Sequence, residues 1–321
     1  MPRPLLFIHI PKTAGTSFRV ALEKSFGSSY VFSDYGLEAP ETHDLVRKYF
    51  YEKTDSYGLF AHAFEKSGAP SALAGHMHFN RYAPLFPITS IITYVRQPLA
   101  RLLSEYKHFV RLKGYEGTLS EFMRKDRAIN MQARYLRNAP LSALGFIGIS
   151  EDYDDGLALI NTEFELNVPI LNLNVAPSIQ TDEVSVLDED IILFNELNEE
   201  DVLLYEKINS LYEVRKKLFL AGKPYTYGEY QVDDQGLISG FAYQQKSQSP
   251  VALSIELDDN VVAEVEAKEL NAQMKKLGSP RKGYVGFHLT LKGSPTTSSD
   301  ITVRVRETGQ CLFDGSAPPP R

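Results

Sequence analysis

Lys12 stands in the run His9-Ile-Pro-Lys-Thr-Ala-Gly-Thr-Ser-Phe18, where a lysine, a glycine and three hydroxyls fall within six positions. A loop of small residues ahead of a helix presents unpaired backbone N–H groups at the positive end of the helix dipole, an arrangement that binds phosphate-like anions. Lys12 adds a mobile cation, and Thr16 and Ser17 add hydroxyl donors. The common nucleotide loop, Gly-x-x-x-x-Gly-Lys-Ser/Thr, is not present. Here the lysine precedes the glycine, and the only Gly-Lys pair, Gly222-Lys223, runs into Pro224.

A second run reads Tyr94-Val-Arg-Gln-Pro-Leu-Ala-Arg-Leu-Leu-Ser-Glu-Tyr106. Arg96 leaves a strand end and can offer a planar donor fork to a phosphate. Ser104 falls about 140° around the helix from Leu99, off the apolar stripe, with its hydroxyl available. Arg101 is open to a lesser role in fixing the turn. The third run, Gly75-His-Met-His-Phe79, places two imidazoles in alternation, and an imidazole titrates in the range useful for proton transfer. His76 and His78 also read as a metal pair, but no cysteine or carboxylate follows at ligand spacing.

Two strand–loop–helix units position these runs. Leu5–Ile10 is an apolar run suited to a buried parallel strand, and Phe18, Ala21, Leu22 and Ser25 follow at helical spacing up to Gly27. Ile91–Val95 is β-branched and aromatic, Pro98 suits a first helical turn, and Leu99, Leu102, Leu103, Tyr106 and Val110 make one stripe. Further helices are predicted over Ser120–Leu136, Glu151–Phe164 and Asn198–Leu220, the last opening on Asn198-Glu-Glu-Asp. Strands preceding helices in this way predict an open α/β sheet. Beyond residue 228 the texture changes to alternation, in Val251 to Leu257, Val285 to Leu291 and Ile301 to Val305. The predicted organisation is therefore a domain over 1–227, a β-sandwich-like module over 228–314 and a disordered tail over 315–321.

Composition sets the outer limits. With 43% hydrophobic and 23% charged residues the chain is that of an ordinary globular protein with material for a core. A single cysteine, Cys311, excludes an intrachain disulfide framework. No apolar run approaches the roughly 20 residues of a membrane span, so no membrane span is expected and the cytoplasm is the expected location. The net charge of −7 argues against nucleic acid as a partner. The distribution is uneven, however: residues 1–137 carry a surplus of seven positive charges and residues 138–225 a surplus of twelve negative ones. An anionic ligand is expected in the first segment.

Taken together, the first two runs resemble the superfamily of sulfotransferases that use PAPS (3′-phosphoadenosine-5′-phosphosulfate), and within it the branch of heparan sulfate 2-O-sulfotransferases and related bacterial enzymes. His9-Ile-Pro-Lys-Thr-Ala-Gly-Thr-Ser17 is similar to that family's 5′-phosphosulfate loop, with Ala14 where many members have a second glycine. Tyr94–Tyr106 is similar to its 3′-phosphate signature, Arg-x-Pro-x-x-Arg-x-x-Ser-x-Tyr. Weaker likenesses, Asn130-Met-Gln-Ala-Arg-Tyr-Leu136 and Gly148-Ile-Ser-Glu-Asp-Tyr153, extend the resemblance to about residue 220.

The resemblance implies a P-loop-like parallel sheet flanked by helices, PAPS as donor, no metal, and a carbohydrate or glycoconjugate hydroxyl as acceptor. It implies that Lys12 contacts the bridging and 5′-phosphate oxygens and that Thr13, Gly15, Thr16 and Ser17 complete the cradle. Arg96 and Ser104 would hold the 3′-phosphate. In the 2-O-sulfotransferase branch a Gly-His pair between the two motifs carries the base, which maps to His76; His78, His62 and Glu41 follow as alternatives. His78, Gln132 and Arg134 are candidates for substrate contact, with a helix-surface role open for Gln132 and Arg134. Two other classes compete: a nucleotide-dependent phosphotransferase, disfavoured by the missing Walker loop, and a non-catalytic glycan-binding protein on the same fold.

Overall fold

A computed structural model describes residues 4–52, 56–66, 72–171, 184–291 and 301–315. The chain divides into two compact units. The first comprises Met1–Leu85, Ser90–Ala139 and Phe146–Glu206, and the second comprises Phe86–Thr89, Pro140–Gly145 and Lys207–Arg321.

In the first unit the elements run β1 (Leu5–Ile8), α1 (Gly15–Phe26), β2 (Val31–Asp34), α2 (Tyr57–Lys66), β3 (Ala72–Gly75), α3 (Phe79–Tyr82), β4 (Ile91–Val95), α4 (Pro98–Lys113), α5 (Leu119–Met123), α6 (Met131–Tyr135), β5 (Phe146–Ile149), α7 (Tyr153–Phe164) and α8 (Asp188–Leu197). Helix α9 (Glu199–Leu220) starts here and passes into the second unit after Glu206. The five strands form one parallel sheet in the order β2-β3-β1-β4-β5, flanked by helices. Every strand residue is buried, as expected where helices cover both faces of a parallel sheet.

The register sets up the site. Asp34 of β2, Gly75 of β3, Ile8 of β1 and Thr93 of β4 lie side by side across the sheet. The residues that leave these strands therefore emerge together at the carboxyl edge. The strand order also has a switch point at β1, since the chain passes to β2 on one side and later to β4 on the other. In open α/β sheets ligands bind outside the carboxyl ends of the strands at such a point.

The predicted helix over Ser120–Leu136 is two short helices, α5 and α6, separated by turns. Thr118 and Glu121 close a capping box on α5. Asn130 then adopts a left-handed conformation at φ 46°, which asparagine tolerates better than most residues, and α6 starts in a new direction. Side chains at the head of α9 fix that start: Asn198 accepts from the Asn130 N–H at 2.8 Å, and Asp201 accepts from the N–H groups of Gln132 at 3.3 Å and Ala133 at 2.7 Å. The capping is reciprocal, since the Asn130 side chain in turn accepts from the Asp201 N–H in the first turn of α9 at 3.1 Å.

The second unit contains β6 (Tyr227–Val232), β7 (Leu237–Tyr243), β8 (Val251–Leu257), β9 (Asn260–Ala267), β10 (Glu269–Leu270), β11 (Tyr284–Thr290), β12 (Ile301–Val305) and β13 (Phe313–Asp314). They form two sheets, β10-β11-β7-β6-β13 and β12-β8-β9, antiparallel apart from the β13–β6 pair. Ile238 and Phe287 of one sheet share a buried core with Leu253, Ile255, Ile301 and Val303 of the other. Two excursions from earlier in the chain belong to this unit: Tyr243 donates to the Ala143 carbonyl at 2.8 Å, and Arg215 and the Tyr227 hydroxyl both donate to that of Gly145. The predicted tail lies, beyond Gly315, outside the described residues. Among the described residues no helix is long and apolar enough to cross a membrane.

Candidate functional site

The turn after β1 is tightly wound. Lys12 and Ala14 both take positive φ, 69° and 63°, and this wraps the chain so that α1 begins at Gly15. Such angles cost a non-glycine residue roughly 1–2 kcal/mol, and Ala14 occupies the place where glycine would adopt them freely. Phe18 N–H donates to the Ala14 carbonyl at 3.2 Å, and the first N–H groups of α1 face the turn at the positive end of the helix dipole. No acid stands in the first turn to offset the dipole. Thr16 is exposed and Ser17 buried. Thr13 is fully buried and its hydroxyl donates to the Ile10 carbonyl at 2.9 Å, so its side chain braces the loop from within.

The turn after β4 brings a second cation to the same place. The Arg96 guanidinium donates from Nη1 to the Lys12 carbonyl at 3.4 Å, and its Nε lies 4.0 Å from Glu151. Gln132 holds the backbone of Arg96 from below. Its Oε1 accepts from the Arg96 N–H and its Nε2 donates to the Arg96 carbonyl, both at 2.9 Å, while the side chain is fully buried. Both ends of the amide are thereby engaged, and Gln132 sits beneath Arg96 rather than open to a ligand. Gln97 caps α4 by accepting from Ala100 N–H at 2.6 Å.

On α4, Ser104 is half-buried, and His108 and Arg111 follow it at spacings of four and seven, on one helix face. Arg101 lies on the buried side, paired with Glu105 at 2.6 Å and touching Met131 Sδ at 3.1 Å. Glu105 also accepts from Arg127 at 2.7 Å, so one buried carboxylate holds two guanidiniums and joins α4 to the turns ahead of α6. The Lys12 ammonium is pushed below its ordinary value, first by burial and then by Arg111, Arg96 and Arg101, against the opposing pull of Glu105. An anion bound here would relieve that cost.

The two alternating histidines part company. His78 donates from Nδ1 to the Arg134 carbonyl at 2.8 Å and stacks on Tyr135 at 4.8 Å between centroids. His76 meets the His9 ring edge-on at 4.5 Å and the Tyr35 ring at 4.8 Å, with its backbone N–H on the Asp34 carbonyl at 2.9 Å. His76 is exposed, yet the loss of surrounding water lowers its pKa to about 4. Asp34 and Glu105 draw it up and Arg19 draws it down. His62 lies on the exposed surface of α2, and Glu41 is exposed on the loop after β2. Among the described residues no three His, Cys, Asp or Glu side chains come together as a metal site.

No protein-family model, no curated protein and no solved structure matches this chain. What the site can do therefore rests on its own geometry: a helix N-terminus and a half-buried lysine after β1, an arginine after the adjoining β4, and an imidazole after β3 on the other side of β1.

Two participants were not picked out as site residues from the sequence. His9 is buried beside Gly15, so closely that a Cβ on Gly15 would lie 2.0 Å from the His9 ring. Arg19 lies over the Tyr35 ring at 5.7 Å and pairs with Glu23. The lone imidazole at the end of an otherwise apolar strand was the available signal for His9. Gly75 is demanded in the same way, since a Cβ there would meet the Asp34 carbonyl at 1.9 Å.

Proposed function

We propose that this chain is a PAPS-dependent sulfotransferase whose first unit is a P-loop-like domain, acting on a hydroxyl of a carbohydrate or glycoconjugate in the cytoplasm. The observation that carries the reading is the Arg96–Lys12 contact at the switch point, which joins the two turns resembling the 5′- and 3′-phosphate motifs. In this reading the N–H groups of Gly15, Thr16 and Ser17 and the Lys12 ammonium receive the 5′-phosphosulfate. Arg96 and Ser104 receive the 3′-phosphate. The acceptor oxygen attacks sulfur in line, the bond from sulfur to the bridging oxygen breaks, and that oxygen leaves as part of the phosphate of PAP. The acceptor proton passes to His76, and the charge growing on the leaving oxygen falls beside Lys12.

The test is transfer of labelled sulfonate from PAPS to a panel of glycans and glycoconjugates, with PAP release followed in parallel. Label on an acceptor with equal PAP release is the expected result. Phosphate transfer from ATP with magnesium would favour a phosphotransferase, and glycan binding without either turnover would favour a non-catalytic protein.

A further inference from the structure

Three neighbouring strands end on one row of the sheet, Asp34, Gly75 and Ile8, and the next residue of each carries a ring: Tyr35, His76 and His9. The three rings pack on one another at 4.5 to 5.7 Å between centroids, each pair edge-on. His9 is the hub. Its backbone N–H donates to the Gly75 carbonyl at 2.9 Å, its Nδ1 lies 2.9 Å from the Tyr35 hydroxyl, and its Cδ2–Nε2 edge rests on Gly15 at the head of α1. Phe7 stacks behind it at 5.6 Å. One buried imidazole thus touches the turn after β1 on one side and His76 on the other.

We infer that His9, anchored by Tyr35, is a positioning residue that holds His76 against the turn at the head of α1. The inference rests on the reading of His76 as the base, but the geometry behind it does not. The charges around the cluster agree with this role. Burial, His76, Arg19 and Lys12 all keep His9 neutral, and burial keeps the Tyr35 phenol protonated. A neutral imidazole beside a protonated phenol forms one defined hydrogen bond and so fixes the ring. His76, facing Arg19, Asp34 and Glu105, then packs its ring against a fixed surface.

The experiment combines a double-mutant cycle with histidine ring NMR on the full chain. Misplacing a reacting group by about 1 Å costs on the order of 10²-fold in rate, and His9→Ala is expected to lower turnover by about that factor, with a clearly smaller loss of PAP affinity through the turn it packs on. In a His76→Ala background the same substitution should cost no more than about twofold, since residues acting through one group are not additive. A full further loss in that background overturns the inference. If the wild type transfers no sulfonate, the proposed function fails by itself, and the rings decide the inference. Tyr35→Phe, which removes one hydroxyl and guards against misfolding of His9→Ala, should leave His9 in a mixture of tautomers. His9→Ala should admit water and raise the His76 midpoint toward that of an ordinary histidine. An unchanged His76 ring in both variants overturns the inference.

Discussion

His76→Ala should lower turnover by roughly 10²–10⁴-fold, the usual contribution of a positioned acid–base group, and leave PAP binding nearly intact. The structure sharpens the pH dependence. The free site holds His76 at about 4, so the imidazole is neutral and able to accept a proton through the whole neutral range. A base works above its pKa, so kcat/KM of the wild type should be flat near neutrality and fall only toward pH 4. The bound donor brings negative charge that favours the imidazolium, so the acid limb in kcat should lie higher than that in kcat/KM. The alanine variant should lack both limbs. If it keeps most of its activity with the same acid limb, the base lies elsewhere, and His78 or Glu41 inherits the role.

Lys12→Ala should reduce turnover by about 10²–10³-fold, as for loss of a preorganised partner to developing charge, and weaken PAP binding far less. The reason is timing: the leaving phosphate gains its negative charge during transfer, beside the ammonium. Lys12 must be charged to act, so activity is present below its pKa and lost as pH rises through it. Burial and the neighbouring Arg111, Arg96 and Arg101 place that loss below the ordinary lysine value. Rate profiles of wild type and variant at saturating donor check both statements. Unchanged turnover in the variant would remove Lys12 from the mechanism.

Much of the scaffold of the site was legible in the sequence, and for physical reasons. β1 and β4 are runs of large apolar residues, Pro98 opens α4 and Gly27 closes α1, each a local signal that survives folding. β2, β3 and β5 were not legible. Each is four residues long, and Ala72-Leu-Ala-Gly75 has no β-branched residue, so its strand character comes from its parallel neighbours and not from its own sequence. For the same reason the sequence could not show that Tyr35, His76 and His9 share one edge, since that follows from a register among three strands. Gln132 teaches a related lesson: an amide next to a motif reads as a ligand contact, while in the fold it clamps the backbone of Arg96. Arg101, left open in the sequence, is a buried partner of Glu105 and has no exposed guanidinium to offer.

Recognition of the 3′-phosphate separates a PAPS enzyme from other nucleotide-binding proteins, and it can be measured without knowing the acceptor. Calorimetric titration of the wild-type chain and Arg96→Ala with PAP, with its analogue lacking the 3′-phosphate, and with ATP is the direct test. Charge-assisted hydrogen bonds contribute roughly 1.5–3 kcal/mol each, so PAP should bind the wild type at least about tenfold more tightly than the analogue. Arg96→Ala should lose most of that difference. Equal affinity of the wild type for PAP and the analogue, or tighter binding of ATP with magnesium, would contradict the account.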